Sequence, residues 1–404
     1  MRSWNNFGGS MKKLKILLIT QDYPPPSGGI QTYTYNLEQN LKKAGHDVLL
    51  LNYDSRNTNT YKKMQLRDFF YTRSTYNSYY SIFNILNPFI FLKLGGYRDF
   101  VYQNMLYRES RKIVKKFKPD LIHILNAKLY SSVYQSKIPF IVTCHSEEII
   151  NTYPIKYSLS NAAKIDCVTN FTANMVLKIV PNRKNDISVT HIGVELDKYN
   201  NSQVKKKNQI ITVCRLAKRK NVATIIKAIS LLPEYILKEY KYIIVGEGEE
   251  KENLEKLVLD LKLHDTVTFM GEVDEATKIK LLAESKIYIM CPIPYRGEKE
   301  GFGISYIEAQ ASGVPVIGSK IGGIIEAIGE GGLYVQNPTN QKQIAEKIEL
   351  LVNDKKKYNK LLHAINGRIS HFEMSMWFTK ICKMYNEVIK ESVNEIPQIP
   401  RYYK

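Results

Sequence analysis

Cysteine is scarce and dispersed in this chain. Cys144, Cys167, Cys214, Cys291 and Cys382 are five in 404 residues, an odd number with no Cys-x-x-Cys pair. That pattern excludes a disulfide framework and implies no structural zinc; it reads as reduced, mostly buried thiols of a cytosolic protein. Long apolar runs are lacking too. The longest uncharged apolar stretch, 82–92, has eleven residues and is interrupted by Asn84, Asn87 and Pro88. As a helix it covers about half of a ~30 Å hydrocarbon core, so it cannot span a bilayer, although it can dip into an interface. The first ten residues are polar and irregular, and the apolar run 16–19 is far shorter than a secretory h-region, so no secretory signal is expected. Met11 is an alternative start to Met1. No short repeat recurs, which argues against a solenoid.

Positive charge, by contrast, is abundant. Lys plus Arg is 58 and Asp plus Glu is 39, a net +19, while 44% apolar and 24% charged residues are ordinary for a folded soluble protein. Disorder and fibrous architectures are excluded, and an anionic partner is implied: nucleic acid, a negatively charged membrane face or a phosphorylated substrate. Residues 1–200 hold 27 basic and 14 acidic side chains, so most of the excess (+13) sits in the first half. No RRM, KH, zinc-finger or basic-region signature is present and the cations do not follow one helix, which argues against nucleic acid.

At about 150 residues per domain the length predicts two or three domains. Both halves alternate short β-branched runs with amphipathic helical stretches, the pattern of parallel sheets flanked by helices. Strands are predicted over 14–20, 47–53, 121–125, 139–144, 165–169 and 187–191, then over 210–214, 242–245, 267–270, 287–290, 315–318 and 332–335. The fold class is therefore α/β, with two Rossmann-like domains at 11–196 and 209–371 and a C-terminal helix over 372–391. The polar, basic segment DKYNNSQVKKKN at 197–208 reads as the linker. In such sheets ligands bind beyond the carboxyl ends of the strands, so a cleft between the domains is the expected site.

Three strand ends carry candidate chemistry. The first is followed by QDYPPPSGGIQTY, whose glycines Gly28 and Gly29 open a helix and can offer backbone N–H groups to a phosphate; a plain tight turn has the same composition. After the strand 210–214 come Arg215 and, five residues on, Lys220, before a helix near Val222. Two cations there suit a leaving diphosphate, and a solvated basic turn fits the spacing equally. The segment 297–315, GEKEGFGISYIEAQASGVP, places Glu300 before a glycine-rich helix start and Glu308 two turns along the helix. Close backbone approach to a sugar phosphate and two carboxylates for hydroxyl groups follow from this order. It argues against a glycosidase pair, because the two carboxylates are separated by more than ~10 Å along the axis.

With His145 at the end of PFIVTCHS, these residues resemble family 4 of the retaining, nucleotide-sugar-dependent glycosyltransferases of the GT-B fold. The resemblance runs from about Lys15 to Val388 and rests on Glu300 and Glu308 spaced by seven residues, Arg215 with Lys220, the GGIQ loop and His145. GGIQ with GFGISYIEAQASGVPVIG looks most like phosphatidylinositol mannoside mannosyltransferases and enzymes of surface polysaccharide synthesis.

The resemblance implies two domains facing a central cleft, with the C-terminal helix crossing back to the first. It implies that Arg215 and Lys220 bind the donor diphosphate, that Glu308 takes the ribose hydroxyls, and that Glu300 with Gly301, Phe302 and Gly303 holds the donor sugar and its phosphate. Gly28 and Gly29 would cover the phosphate, Gly271 to Val273 would receive the nucleobase, and His145 would sit beside the anomeric region. There are departures: Asn221 follows Lys220 where many relatives have glycine, and Ile192 follows His191 where relatives often have Asn, so His191 reads as structural. No Asp-x-Asp occurs, so no metal or other cofactor is expected and the cations must neutralise the diphosphate. GEGEE at 246–250 lacks the third glycine of a dinucleotide fingerprint and reads as a strand-to-helix turn.

The activity implied is transfer of a hexose, mannose by nearest resemblance, from a nucleoside diphosphate sugar to a lipid-linked or glycan acceptor. A catalytically silent sugar-nucleotide-binding protein of the same fold is the alternative. The stretch 61–118 interleaves Tyr and Phe with Lys and Arg, which suits peripheral attachment to an anionic cytoplasmic membrane face; core aromatics with solvated lysines would give the same composition.

Overall fold

A computed structural model of the chain describes residues 12–21, 23–24, 28–52, 96–146, 148–149, 152–199, 204–295 and 299–394. Most of the aromatic and basic stretch assigned to a membrane face, including the apolar run 82–92, lies outside them, as do Pro25 to Ser27, Gly297 and the tail 397–404.

Twelve strands form: β1 Lys15–Thr20, β2 Asp47–Asn52, β3 Leu121–Ile124, β4 Phe140–Cys144, β5 Lys164–Cys167, β6 Ile187–Val189, β7 Gln209–Val213, β8 Lys241–Val245, β9 Val267–Gly271, β10 Ile287–Met290, β11 Val316–Ser319 and β12 Gly332–Val335. Every predicted strand is present, its ends shifted by at most two residues. Where the prediction overran, local chemistry stops the strand. The Thr169 hydroxyl accepts from the Thr172 amide at 3.1 Å, capping the next helix, and His191 has φ +51, which no strand tolerates.

The chain makes two compact units, one comprising Met1–Cys167, Ala173–Val189 and Lys380–Lys404, the other Val168–Thr172 and Thr190–Thr379. The first holds the parallel sheet β2-β1-β3-β4-β5-β6, the second the parallel sheet β12-β11-β10-β7-β8-β9. The long C-terminal helix Met374–Asn394 begins in the second unit, and its residues from Lys380 on belong to the first, as expected. There Tyr385 is fully buried and its hydroxyl meets His123 on β3 at 2.6 Å.

In the second sheet the order reverses between β7 and β10, neighbours in register from Ile287 against Ile210. The topology therefore opens a crevice beyond the carboxyl ends of these two strands. Both are nearly continuous apolar runs because helices cover both faces. Ile210, Ile287 and Ile289 are at most 1% exposed and pack with Val222, Ile225, Ile226 and Ile229 of the helix Val222–Ile229. Their i, i+3, i+4, i+7 spacing is the stripe a helix needs on a sheet, and each such side chain contributes about 1.5–3 kcal/mol. Helix starts are marked by caps: Asp274 accepts from the Thr277 amide, Asn340 from Lys342 and Gln343, and Asp354 from Lys357.

Candidate functional site

Beyond β10 the chain returns at Glu300 to face the turn that follows β7. One Glu300 carboxylate oxygen accepts from the Arg219 guanidinium and from the Lys220 ammonium, both at 2.6 Å. All three side chains are buried or nearly so. Burial alone would raise the Glu300 pKa, but Lys220 and Arg219 outweigh it and hold the carboxyl below its ordinary value. The cations are brought there by a short 3₁₀ turn, Lys218–Lys220, closed by Asn221 in the left-handed conformation at φ 58, ψ 33. Asn tolerates that conformation where most residues do not, so the departure from glycine is accommodated. Its amide also donates to the carbonyls of Cys291 and Pro338 at 2.9 and 2.8 Å, tying the turn to the end of β10.

Sequence spacing joined Lys220 with Arg215; the structure instead joins Lys220 with Arg219. Arg215 stands apart with its side chain 71% exposed, paired to Glu249 at 3.2 Å, a solvated contact of little energy that leaves the guanidinium available to a ligand. Spacing held no signal for Arg219, which looked like part of a solvated run.

The helix Ile304–Ala311 starts later than its apolar pattern implied, because Gly303 takes φ 84, ψ 69 at the cap. Glu308 therefore lies one turn into the helix rather than two. It is 5% exposed, and one oxygen meets the Lys278 ammonium at 2.8 Å and the Tyr199 hydroxyl at 3.0 Å. Glu275 closes the cluster, 2.8 Å from Lys278 and 2.9 Å from the Tyr199 hydroxyl. Burial works against the Lys278 charge, but the two carboxylates outweigh it and raise its pKa. Burial, then Glu308 and Glu275, push the Tyr199 phenol far above its ordinary value, so it is a permanent donor. Tyr199 lies in the segment read as a linker; the short helix Leu196–Tyr199 buries it instead.

Between these clusters the backbone of Glu300 and Gly301 is gripped from two sides. The Gly323 amide donates to the Glu300 carbonyl at 3.2 Å, and the Thr169 hydroxyl to the Gly301 carbonyl at 3.2 Å. Phe302 is 3% exposed and stacks on His191 with ring centroids 6.1 Å apart. His191 in turn meets Glu326 at 3.0 Å, and the same carboxylate accepts from the Asn170 and Phe171 amides at 2.9 Å. Burial opposes that charge, yet these donors bring Glu326 down to about 2. His191 has the structural role read for it, and Glu326 is a supporting residue that motif spacing did not mark. At the end of β9, Gly271 has φ 66, and its carbonyl accepts from the Gly246 amide at 2.8 Å; the half-buried Val273 follows. GEGEE forms the turn between β8 and the helix Lys251–Asp260.

In the first unit, Gly28 caps the helix Gly29–Lys43 and both glycines are exposed. His145 follows β4 and is 6% exposed, its ring edge-on to Tyr33 with centroids 5.1 Å apart. Burial brings its pKa down to about 4, so the imidazole is neutral at pH 7. Nε2 is buried with no hydrogen-bond partner among the described residues. In the neutral ring the Nδ1–H tautomer leaves a lone pair on Nε2, which suits a hydroxyl donor rather than a phosphate oxygen. Among the described residues no group of three His, Cys, Asp or Glu side chains could hold a metal ion, and no helix is long and apolar enough to cross a membrane.

Two family models together span most of the chain: Glycosyltransferase Family 4 over residues 27–198 and Glycosyl transferases group 1 over residues 195–366. The N-acetyl-alpha-D-glucosaminyl L-malate synthase of Bacillus anthracis is 24% identical over 319 residues, 72% of this chain and 81% of that one. A GDP-mannose-dependent monoacylated alpha-(1-6)-phosphatidylinositol monomannoside mannosyltransferase of Corynebacterium glutamicum is 36% identical over 143 residues, 34% of this chain and 36% of its own. The crystal structure of Anabaena HepE in complex with UDP-glucose superposes with a TM-score of 0.67 at 15% identity, covering 95% of this chain and 100% of HepE. The chain belongs to glycosyltransferase family 4, with the GT-B fold, and is a nucleotide-sugar-dependent glycosyltransferase.

Proposed function

We propose that the chain moves a hexose, with retention of anomeric configuration, from a nucleoside diphosphate sugar to a hydroxyl of a lipid-linked or glycan acceptor in the synthesis of surface glycans or glycolipids. The observation that carries this reading is the Arg219–Lys220–Glu300 cluster at the carboxyl ends of the strands β7 and β10, where the sheet order reverses. Lys220, with Arg219 and the exposed Arg215, neutralises the leaving diphosphate. Glu300 and the amides of Gly301 to Gly303 hold the sugar and its phosphate, with Phe302 fixing that loop. Glu308 takes the ribose hydroxyls, the Gly271 to Val273 loop receives the base, and Gly28 and Gly29 meet phosphate. His145 accepts a hydrogen bond from a sugar hydroxyl. The bond from the anomeric carbon to the diphosphate breaks, the bond to the acceptor oxygen forms on the same face, and the acceptor proton passes to the leaving phosphate oxygen. No protein nucleophile and no metal is used.

Mannose from GDP-mannose is favoured by the Corynebacterium relative, which spans only a third of the chain, and UDP-sugars by the ligand of HepE. The basic, aromatic stretch 61–118 supports peripheral attachment to an anionic membrane face, where a lipid-linked acceptor is presented. The deciding experiment is mass-detected transfer from a panel of GDP- and UDP-sugars to lipid extracts, preceded by thermal unfolding with GDP against UDP. The cognate nucleotide at 100 times its Kd adds about 2.7 kcal/mol. Binding without transfer from any sugar nucleotide would favour a silent binding protein, and failure to bind anionic vesicles at low salt would remove the membrane role.

A further inference from the structure

The imidazole of His145 packs T-shaped against the Tyr33 ring, centroids 5.1 Å apart, and its Nε2 has no hydrogen-bond partner among the described residues. Tyr33 is fully buried. Its hydroxyl donates to the Asp166 carboxylate on β5 at 2.9 Å, and the same carboxylate oxygen accepts from the Thr143 hydroxyl on β4 at 3.0 Å. Thr143 and Asp166 are register partners on adjacent strands, and β-alternation puts Thr143 on the same side as His145, two residues on.

With Asp166 ionised its carboxylate only accepts, so the single hydroxyl hydrogen of Thr143 is committed to Asp166. His123 Nε2, 2.7 Å from the Thr143 hydroxyl, must then be the donor. Its Nδ1 is left as the acceptor of the Tyr385 hydroxyl at 2.6 Å. That assignment needs a neutral His123, and burial, helped by His145, lowers its pKa to about 3. Side chains from four elements are thus linked to the buried Asp166 carboxylate, and Tyr33 and Thr143 both donate to it directly.

We infer that Tyr33 is a positioning residue for His145: with its hydroxyl pinned to Asp166, its ring, packed T-shaped against the imidazole, holds it in the orientation that leaves Nε2 open to a substrate hydroxyl. The inference deepens the role proposed above for His145 and rests on it for its effect on rate, but not for its effect on the ring itself. Neither the glycine loop nor the strand-end histidine marks Tyr33, which the sequence pattern alone makes a core residue of an amphipathic helix.

The test uses the full chain labelled with ¹⁵N-histidine, with the His145 signals assigned from a His145→Gln variant. At pH 7 the wild type should show His145 as the neutral Nδ1–H tautomer. Tyr33→Phe keeps the ring and removes the anchor; Tyr33→Leu removes both. The expected result is a native fold by circular dichroism, an unchanged nucleotide Kd, and mixed tautomers or a shifted titration for His145. Transfer should show kcat lowered about tenfold in Tyr33→Phe with KM for the donor unchanged, and more in Tyr33→Leu. A folded Tyr33→Phe chain whose His145 tautomer and titration match the wild type would overturn the inference. If Tyr33→Leu does not fold, Tyr33→Phe decides alone. If the wild-type chain transfers no sugar, the proposed function fails, and the His145 spectrum still decides whether Tyr33 positions the ring.

Discussion

The Lys220 ammonium and the Glu300 carboxylate meet at 2.6 Å although eighty positions separate them in the chain, and Arg219 shares the same oxygen. Before any ligand arrives, the cations that suit a diphosphate are already neutralised and held by a buried carboxylate. A diphosphate must therefore share them with Glu300, which ties phosphate binding to the loop that follows at Gly301.

Removing Lys220 takes away the charge-assisted contact proposed for the leaving group and weakens the restraint on Glu300. Lys220→Ala should lower kcat about a hundredfold, ~3 kcal/mol of barrier, with nucleotide binding also weakened. Because Glu300 has its pKa depressed in the folded state, its contribution to stability is full above the unfolded value of about 4.3 and is lost as pH falls below it. Urea unfolding of Lys220→Ala as a function of pH should show a shallower loss below pH 4.3 than the wild type; parallel curves would mean Lys220 does not set the Glu300 charge.

The strands and most of their lengths were legible because buried parallel strands are short apolar runs bounded by turn residues. Glu300 and Lys220 were marked in the sequence because they follow strands, and Glu308 because it falls in the helix that the glycine-rich turn opens. Arg219, Lys278 and Tyr199 were not. Their parts are set by the Asn221 turn and by the one-turn helix that buries Tyr199, and neither leaves a periodic trace. The same holds for the Tyr385–His123–Thr143–Asp166–Tyr33 chain, whose members look like ordinary strand and core residues until adjacent strands bring them side by side.

Tyr199→Phe removes the hydroxyl between Glu308 and Glu275 while keeping the ring beneath Lys278, whose ammonium lies 5.9 Å from the ring centroid. Hydrogen bonds to charged groups contribute about 1.5–3 kcal/mol, so chemical denaturation should register a loss of that order. If Glu308 takes the ribose, KM for the donor should rise about tenfold with kcat nearly unchanged. A fall in kcat alone would separate Glu308 from donor binding.

His123 and His145 are buried neutral, with pKa values brought down to about 3 and about 4. Between those values and the unfolded histidine pKa of about 6.5 the unfolded chain binds protons that the folded chain does not. Stability should therefore be full above pH 6.5 and fall as the solution is acidified, by up to about 1.4 kcal/mol per pH unit for each histidine. His123→Gln should flatten the unfolding free energy measured between pH 6.5 and 4. An unchanged slope would mean that His123 is charged in the fold.

Gly323 offers the sharpest test of how the Glu300 loop is held. A Cβ there would lie 1.7 Å from the Gly301 carbonyl oxygen and 2.8 Å from a Thr169 methyl. The first is backbone and cannot rotate away, so Gly323→Ala must displace either Gly301 or the Gly323 turn. Displacing Gly301 breaks the contact from Thr169 and moves the amides that the proposed mechanism assigns to phosphate. Gly367, in the helix Lys355–Arg368, is the control, because its Cβ would meet nothing within 4 Å. Gly367→Ala should be neutral or stabilising by about 0.5–1 kcal/mol. Gly323→Ala should cost about 1–3 kcal/mol, the range for overpacking a close-packed site, and reduce transfer by at least a hundredfold. Equal melting temperatures and equal transfer rates for the two variants would show that the loop is not clamped against Gly323.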